Sequence, residues 1–332
     1  MNRLSQKIGA YQLIVFTFLL AATVLRTVAL FLDYNTETGY FDSKSCIIIG
    51  NALLIAGVVV GLASAVLFRE KMSFVASFDN AATYIPSGIV SAALLFVGAD
   101  LFIGVVNLPE KLLSRESLTD PAVLFMLALI ATCIAAVGVF LFNALSDKRA
   151  DHRRGAFCVV MIVFLTLYSA YLYFSTRLPL NAHVKITDQL AYMVAAVFFL
   201  FEARISLDRP LWRGYMAFGY IAALLTAYSS LPSLILYLIR GQVISASLYE
   251  NVLTFTLFLF ISARLILVTE LHTDTTCACA RMTDALEENR EAARLLAEQS
   301  RACDNNNEEN LDPEEPSNYT IDIDGSATAT EE

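Results

Sequence analysis

The stretch F-L-F-E-A-R, Phe199 to Arg204, ends an apolar run on an acid and a base, and near-copies of it stand on either side. F-L-F-N-A-L occupies Phe140 to Leu145 and F-L-F-I-S-A-R occupies Phe258 to Arg264, so the triplet returns at a step of 59 residues. Each copy closes an apolar segment long enough to matter in lipid, where a crossing helix needs about 20 mostly apolar residues. Working outward from these three, eight such segments are found, at residues 11–32, 46–68, 85–108, 122–145, 156–175, 190–207, 215–239 and 252–271. The sixth is the shortest. Short polar connections separate them. The expected fold is an all-α, polytopic transmembrane bundle of eight spans over residues 1–271, followed by a cytoplasmic helix at 272–302 and a disordered acidic tail at 303–332.

Composition agrees. The chain of 332 residues is 57% hydrophobic and 17% charged, against roughly a quarter charged in soluble domains. The charge is uneven, with a net of −13 from Glu270 to Glu332 and +4 over everything before it. The acidity therefore belongs to the tail, and no basic stripe of the kind nucleic acid requires is present. Basic residues in the short loops divide eleven to six between the two sides. The richer side is cytoplasmic by the positive-inside rule, which puts both termini inside. Arg3 and Lys7 before the first span imitate a signal peptide, but the apolar run outlasts a 7–15-residue signal core and reads as an uncleaved anchor.

The resemblance between segments extends past F-L-F. L-T-L-Y-S at Leu165–Ser169 answers L-T-A-Y-S at Leu225–Ser229, and Gly155 answers Gly214. Residues 155–213 and 214–271 thus read as two-span hairpins repeated in parallel, since an even number of crossings restores the starting side. In that frame Glu202, Arg204 and Arg264 are interfacial charges whose stems lie along lipid while their heads reach water.

Ionisable groups deeper in a span are functional candidates by default. Arg26 and Asp100 each lie about 10 Å below the outer surface at 1.5 Å of rise per residue, with Asn51 at a similar depth. They are expected to form a charge-assisted pair completed by the asparagine amide, as a clasp before a transport site. A-Y-S-S-L-P-S, Ala227 to Ser233, sets Pro232 among Ser229, Ser230 and Ser233. A proline there frees a carbonyl that neighbouring hydroxyls can satisfy, so this is a kink, or else a pathway segment.

The outer loop D-Y-N-T-E-T-G-Y-F-D, Asp33 to Asp42, lacks calcium-loop spacing and reads as a turn packed on the outer face. The stretch V-L-R-T-V-A-L-F-L-D-Y-N-T-E-T-G-Y, Val24 to Tyr40, resembles the first span and loop of uncharacterised multi-pass proteins of Gram-positive anaerobic bacteria. That resemblance implies a bacterial plasma membrane and no activity.

Cys277 and Cys279 with His272 fall short of zinc spacing and read as unmodified thiols. No phosphate loop, serine elbow or His-Glu zinc motif occurs, so no catalytic residue, cofactor or metal is assigned. The sequence points to a non-enzymatic scaffold or sensor whose partners are the bilayer and a cytoplasmic protein met through residues 272–332. The alternative is a small-solute transporter using the seventh span.

Overall fold

A computed structural model describes residues 3–35, 38–43, 45–66, 81–106, 121–145, 152–175, 178–179, 181–207, 211–244, 247–273 and 295. Apart from residue 295, the expected cytoplasmic helix beyond Thr273 lies outside these residues, as do the acidic tail, Cys277 and Cys279. The elements are α1 (Arg3–Leu32), β1 (Tyr34–Asn35), β2 (Tyr40–Phe41), α2 (Ser45–Ala63), α3 (Ala81–Val106), α4 (Pro121–Leu145), α5 (His152–Phe174), α6 (His183–Ser206), α7 (Trp212–Arg240) and α8 (Leu248–Thr273). Each of the eight α-helices is long and apolar enough to cross a membrane. This is the architecture of a multi-pass membrane protein.

Helices α3 to α8 form a closed ring of three hairpins. Within each hairpin α3 packs on α4, α5 on α6 and α7 on α8, while α4 meets α5, α6 meets α7 and α8 returns to α3. The α1–α2 hairpin leans on the outside of α7. Helix α7 is thus enclosed between the ring and the added hairpin, and 72% of its most apolar window is buried against 28% for α2. Its small residues make this possible, because lipid tails provide no hydrophobic drive between helices and close approach must supply the attraction. At Gly219 an added Cβ would stand 2.5 Å from Leu265 Cδ2.

The recurring F-L-F segments meet inside the ring. Phe140 of α4, Phe199 of α6 and Phe260 of α8 contact one another pairwise, with centroids 5.9, 5.2 and 5.8 Å apart in edge-on and stacked arrangements. All three are buried. One ring from each F-L-F segment thus joins a shared apolar plug, although the α8 ring is not the one at the 59-residue step. The Phe–Leu–Phe triplet turns only its first ring inward in α4 and α6, and its last in α8.

At the end of the bundle where α1 finishes and α6 and α8 begin, here the distal end, β1 and β2 pair antiparallel, Tyr34 opposite Phe41. Gly39 at φ +73° makes the turn, a conformation costly for residues with a side chain. Its Cα lies against Pro179 of the α5–α6 connection, where an added Cβ would stand 3.0 Å from the ring. Phe41 packs edge-on against the His183 ring, 5.9 Å between centroids. The hairpin forms a cover over the start of α6.

One boundary differs from expectation. The sixth span begins at His183 and not near residue 190, because Lys185, Thr187 and Asp188 are buried within helix α6 despite their polarity. A hydropathy window excludes them as loop. Packing includes them.

Candidate functional site

Those residues open onto a dense cluster of buried polar side chains among the described residues. Arg26, six residues before the end of α1, is fully buried. Its Nη2 donates to Thr187 Oγ1 at 2.8 Å, and the guanidinium lies over the Tyr228 ring of α7, 4.4 Å from the centroid. Nε and Nη1 make no hydrogen bond of ordinary geometry among the described residues. Asp188, one residue past Thr187, is within electrostatic reach of Arg26 and accepts a short hydrogen bond from Ser229 Oγ. Tyr228 donates to Asn51 Oδ1 at 2.7 Å, and Asn51 Nδ2 faces His183 Nε2 at 2.9 Å. Four helices, α1, α2, α6 and α7, are tied by this one network. Tyr34 of the covering hairpin stands close enough to feel both Asp188 and Arg26, and burial together with Asp188 pushes its hydroxyl pKa up while Arg26 pulls it down.

A second group adjoins the first. Lys185 Nζ donates to the Ser175 carbonyl at 2.7 Å. Glu250, in the first turn of α8, is buried, as is Tyr192 of α6, whose hydroxyl lies 2.7 Å from Thr254 Oγ1 and 3.3 Å from the Glu250 carbonyl oxygen. Between them is a cavity of about 10 Å³ lined by Leu172, Ser175, Leu178, Lys185, Asp188 and Glu250. That is room for a single water. Arg26, Lys185, Asp188 and Glu250 are 0, 5, 3 and 1% exposed, so their side chains are removed from solvent.

Expected and observed partners differ. Arg26 and Asp100 do not pair: α3 packs on α4 and α8, whereas α1 packs on α2 and α7, so the two side chains belong to different parts of the bundle. Asp100 is half-buried and within electrostatic reach of Tyr168. The acid near Arg26 is Asp188 instead. Asn51 does join the cluster, through Tyr228. Of Ser229, Ser230, Pro232 and Ser233, the α7 residues singled out in the sequence, only Ser229 turns toward the site. Ser230 Oγ donates to the Thr226 carbonyl at 2.7 Å and Ser233 Oγ to the Ser229 carbonyl at 3.2 Å, so both are spent on their own helix, and Pro232 is accommodated without ending it.

Glu202 and Arg264 are not interfacial charges. Both are buried, with Arg264 Nε and Nη2 at 2.6 and 2.5 Å from Glu202 Oε1. Glu202 faces α8 across the ring and supplies the carboxylate that makes snorkelling unnecessary; Tyr215 is buried within electrostatic reach of the pair. Arg204, two residues on, is exposed at the end of α6.

His183, Lys185, Thr187, Asp188 and Glu250 escape a hydropathy reading because they sit in the first turns of α6 and α8, where windows of apolar residues have not yet begun. The signal available is spacing: His183 and Thr187 are four apart, and Lys185 and Asp188 three apart, so each pair shares a helix face. Among the described residues no group of three His, Cys, Asp or Glu side chains is placed to hold a metal ion.

Fold and site together define a multi-pass membrane protein with an enclosed polar centre. No family model, curated protein or solved structure matches the chain.

Proposed function

We propose that this protein is a non-enzymatic carrier for a small polar solute, seated in a plasma membrane with both termini cytoplasmic, so that the distal end faces outward. One observation carries the reading. Five ionisable side chains, Arg26, His183, Lys185, Asp188 and Glu250, converge from α1, α6 and α8 inside a bundle that could have been built dry. Intramembrane charges are expensive and mark substrate or ion pathways more often than other sites do. The centre lies between the β1–β2 cover on the distal side and the phenylalanine plug farther in, the arrangement of a closed carrier between two barriers. The eleven-to-six division of basic loop residues supports the orientation.

A scaffold or sensor acting through residues 272–332 is the second reading, favoured by the size of the cavity, which leaves no solute-sized space in this conformation. The two separate cleanly in reconstituted vesicles. Proteoliposomes loaded and bathed with an isotope-labelled mixture of amino acids and small carboxylates are expected to accumulate at least one species above empty liposomes, and Arg26→Met to abolish it. No enrichment under any imposed gradient would sink the carrier reading in favour of the scaffold. A reporter fused behind Glu332 that proved to be exported would overturn the orientation.

A further inference from the structure

We propose that the cavity between Asp188 and Glu250 binds one exchangeable proton, taken from water at the distal side and carried with the solute. The inference rests on the carrier reading for its purpose, though not for its chemistry. Asp188 and Glu250 line the same water-sized cavity from two different helices, α6 and α8. Two carboxylates sharing one desolvated space resist ionising together, since burial and like charge both favour a neutral acid.

Two cations moderate that conflict, each while engaged with another group. Arg26 of α1 is held by Thr187 and Tyr228 and acts on the Asp188 side. Lys185 of α6 is drawn to the Ser175 carbonyl. The other titratable groups facing the two acids are Tyr34 from β1, Tyr168 from α5 and Tyr192 from α6. Tyr228 from α7 reaches them through Arg26, His183 adjoins Asn51 of α2, and Asp100 from α3 adds a further negative charge on the Tyr168 side.

The two sides of the cavity differ. Ser175 and Leu178 belong to the connection between α5 and α6, so the distal wall of the cavity is loop, whereas inward the ring is filled by side chains down to the phenylalanine plug. The step is a simple acid–base exchange: a carboxylate takes a proton from water to become a carboxylic acid, and releases it when the centre opens inward. No electrons move. Lys185 also argues against a metal cation in the same place, because its ammonium already lines the space a sodium ion would fill.

Infrared difference spectroscopy of the full chain in proteoliposomes reads the protonation directly. Between acid and alkaline buffer the wild type is expected to show a protonated-carboxyl C=O band that shifts in D2O and disappears as pH rises. Glu250→Gln and Asp188→Asn are each expected to remove or displace it. Lys185→Gln, in the wall of the cavity, retains the band and moves its midpoint to higher pH, because loss of a cation favours the neutral acid. That third variant keeps the test decisive if either acid proves necessary for folding. No titrating band, a band untouched in both acid variants, or a band abolished at constant pH by replacing choline with sodium would overturn the proposal. Solute accumulation without the band would defeat the proton site alone. The band without accumulation in any gradient would defeat the carrier reading and leave the site standing.

Discussion

Two buried charge systems sit in this bundle, and they solve the same problem differently. Glu202 and Arg264 form a matched pair: one acid and one base, a hydrogen bond from Nε and a close ion contact from Nη2 to the same carboxylate oxygen, tying helices α6 and α8 together, with the phenylalanine plug built from the same two segments and α4. The distal centre is answered differently. Arg26 leans on a hydroxyl and a ring face, Asp188 on a serine, Lys185 on a backbone carbonyl, and a cavity remains between them. A closed pair suits a fixed joint. An open-ended set, answered mostly by neutral groups, can exchange one partner for another, which is what binding and release require.

The largest effect should come from breaking the joint. Glu202→Ala leaves the Arg264 guanidinium buried without its acid, and removing one member of a buried pair costs about 3–5 kcal/mol. Replacing both, Glu202→Leu with Arg264→Met, is expected to recover most of that loss, since apolar groups of similar volume often match or exceed a buried pair. Thermal unfolding of the purified protein in detergent, compared across the single and double variants, checks the ordering. If the double variant were as damaged as the single, the pair would be more than a clasp, and the contrast with the distal centre would fail.

How much of this was legible in the sequence follows the same divide. Hydropathy suffices for the eight helices, because the free-energy cost of leaving backbone in lipid forces long apolar runs. The F-L-F recurrence pointed to repeated hairpins but gave no hint that Phe140, Phe199 and Phe260 meet; that depends on the ring closing between α8 and α3, a contact far apart in the chain. Arg26 announced itself, alone in an apolar span. Its neighbours did not, because Lys185, Asp188 and Glu250 lie in opening turns that read as loop, and Asp100 offered a plausible acid at matching depth. Depth is a one-dimensional coordinate. Which helices touch decides the pairing, and a single chain carries no periodic mark of that.

Arg26→Met tests the distal centre at an intermediate scale. It removes the hydrogen bond to Thr187, the contact with the Tyr228 ring and the cation nearest Asp188. A hydrogen bond to a charged group contributes about 1.5–3 kcal/mol, and the freed Asp188 can take up a proton, which limits the damage. The expected loss in thermal unfolding is therefore smaller than for Glu202→Ala, while accumulation of solute falls to the level of empty vesicles. A destabilisation equal to that of Glu202→Ala would mean that the distal set is as rigidly matched as the proximal one.

The smallest change sharpens the comparison most. Tyr228→Phe keeps the ring beneath Arg26 and deletes only the hydroxyl that donates to Asn51. Hydrogen bonds between membrane helices average about 0.6 kcal/mol, so stability should scarcely move. Asn51 then holds His183 alone, and the link from α7 to α2 is lost while Arg26 retains Thr187. If the centre works by rearrangement, loosening that link changes the rate of solute exchange in vesicles several times more than it changes the unfolding temperature would suggest. Were exchange and stability to shift in proportion, the Asn51–Tyr228 bond would be ordinary packing between α2 and α7, and the distal network would reduce to Arg26, Asp188 and Glu250.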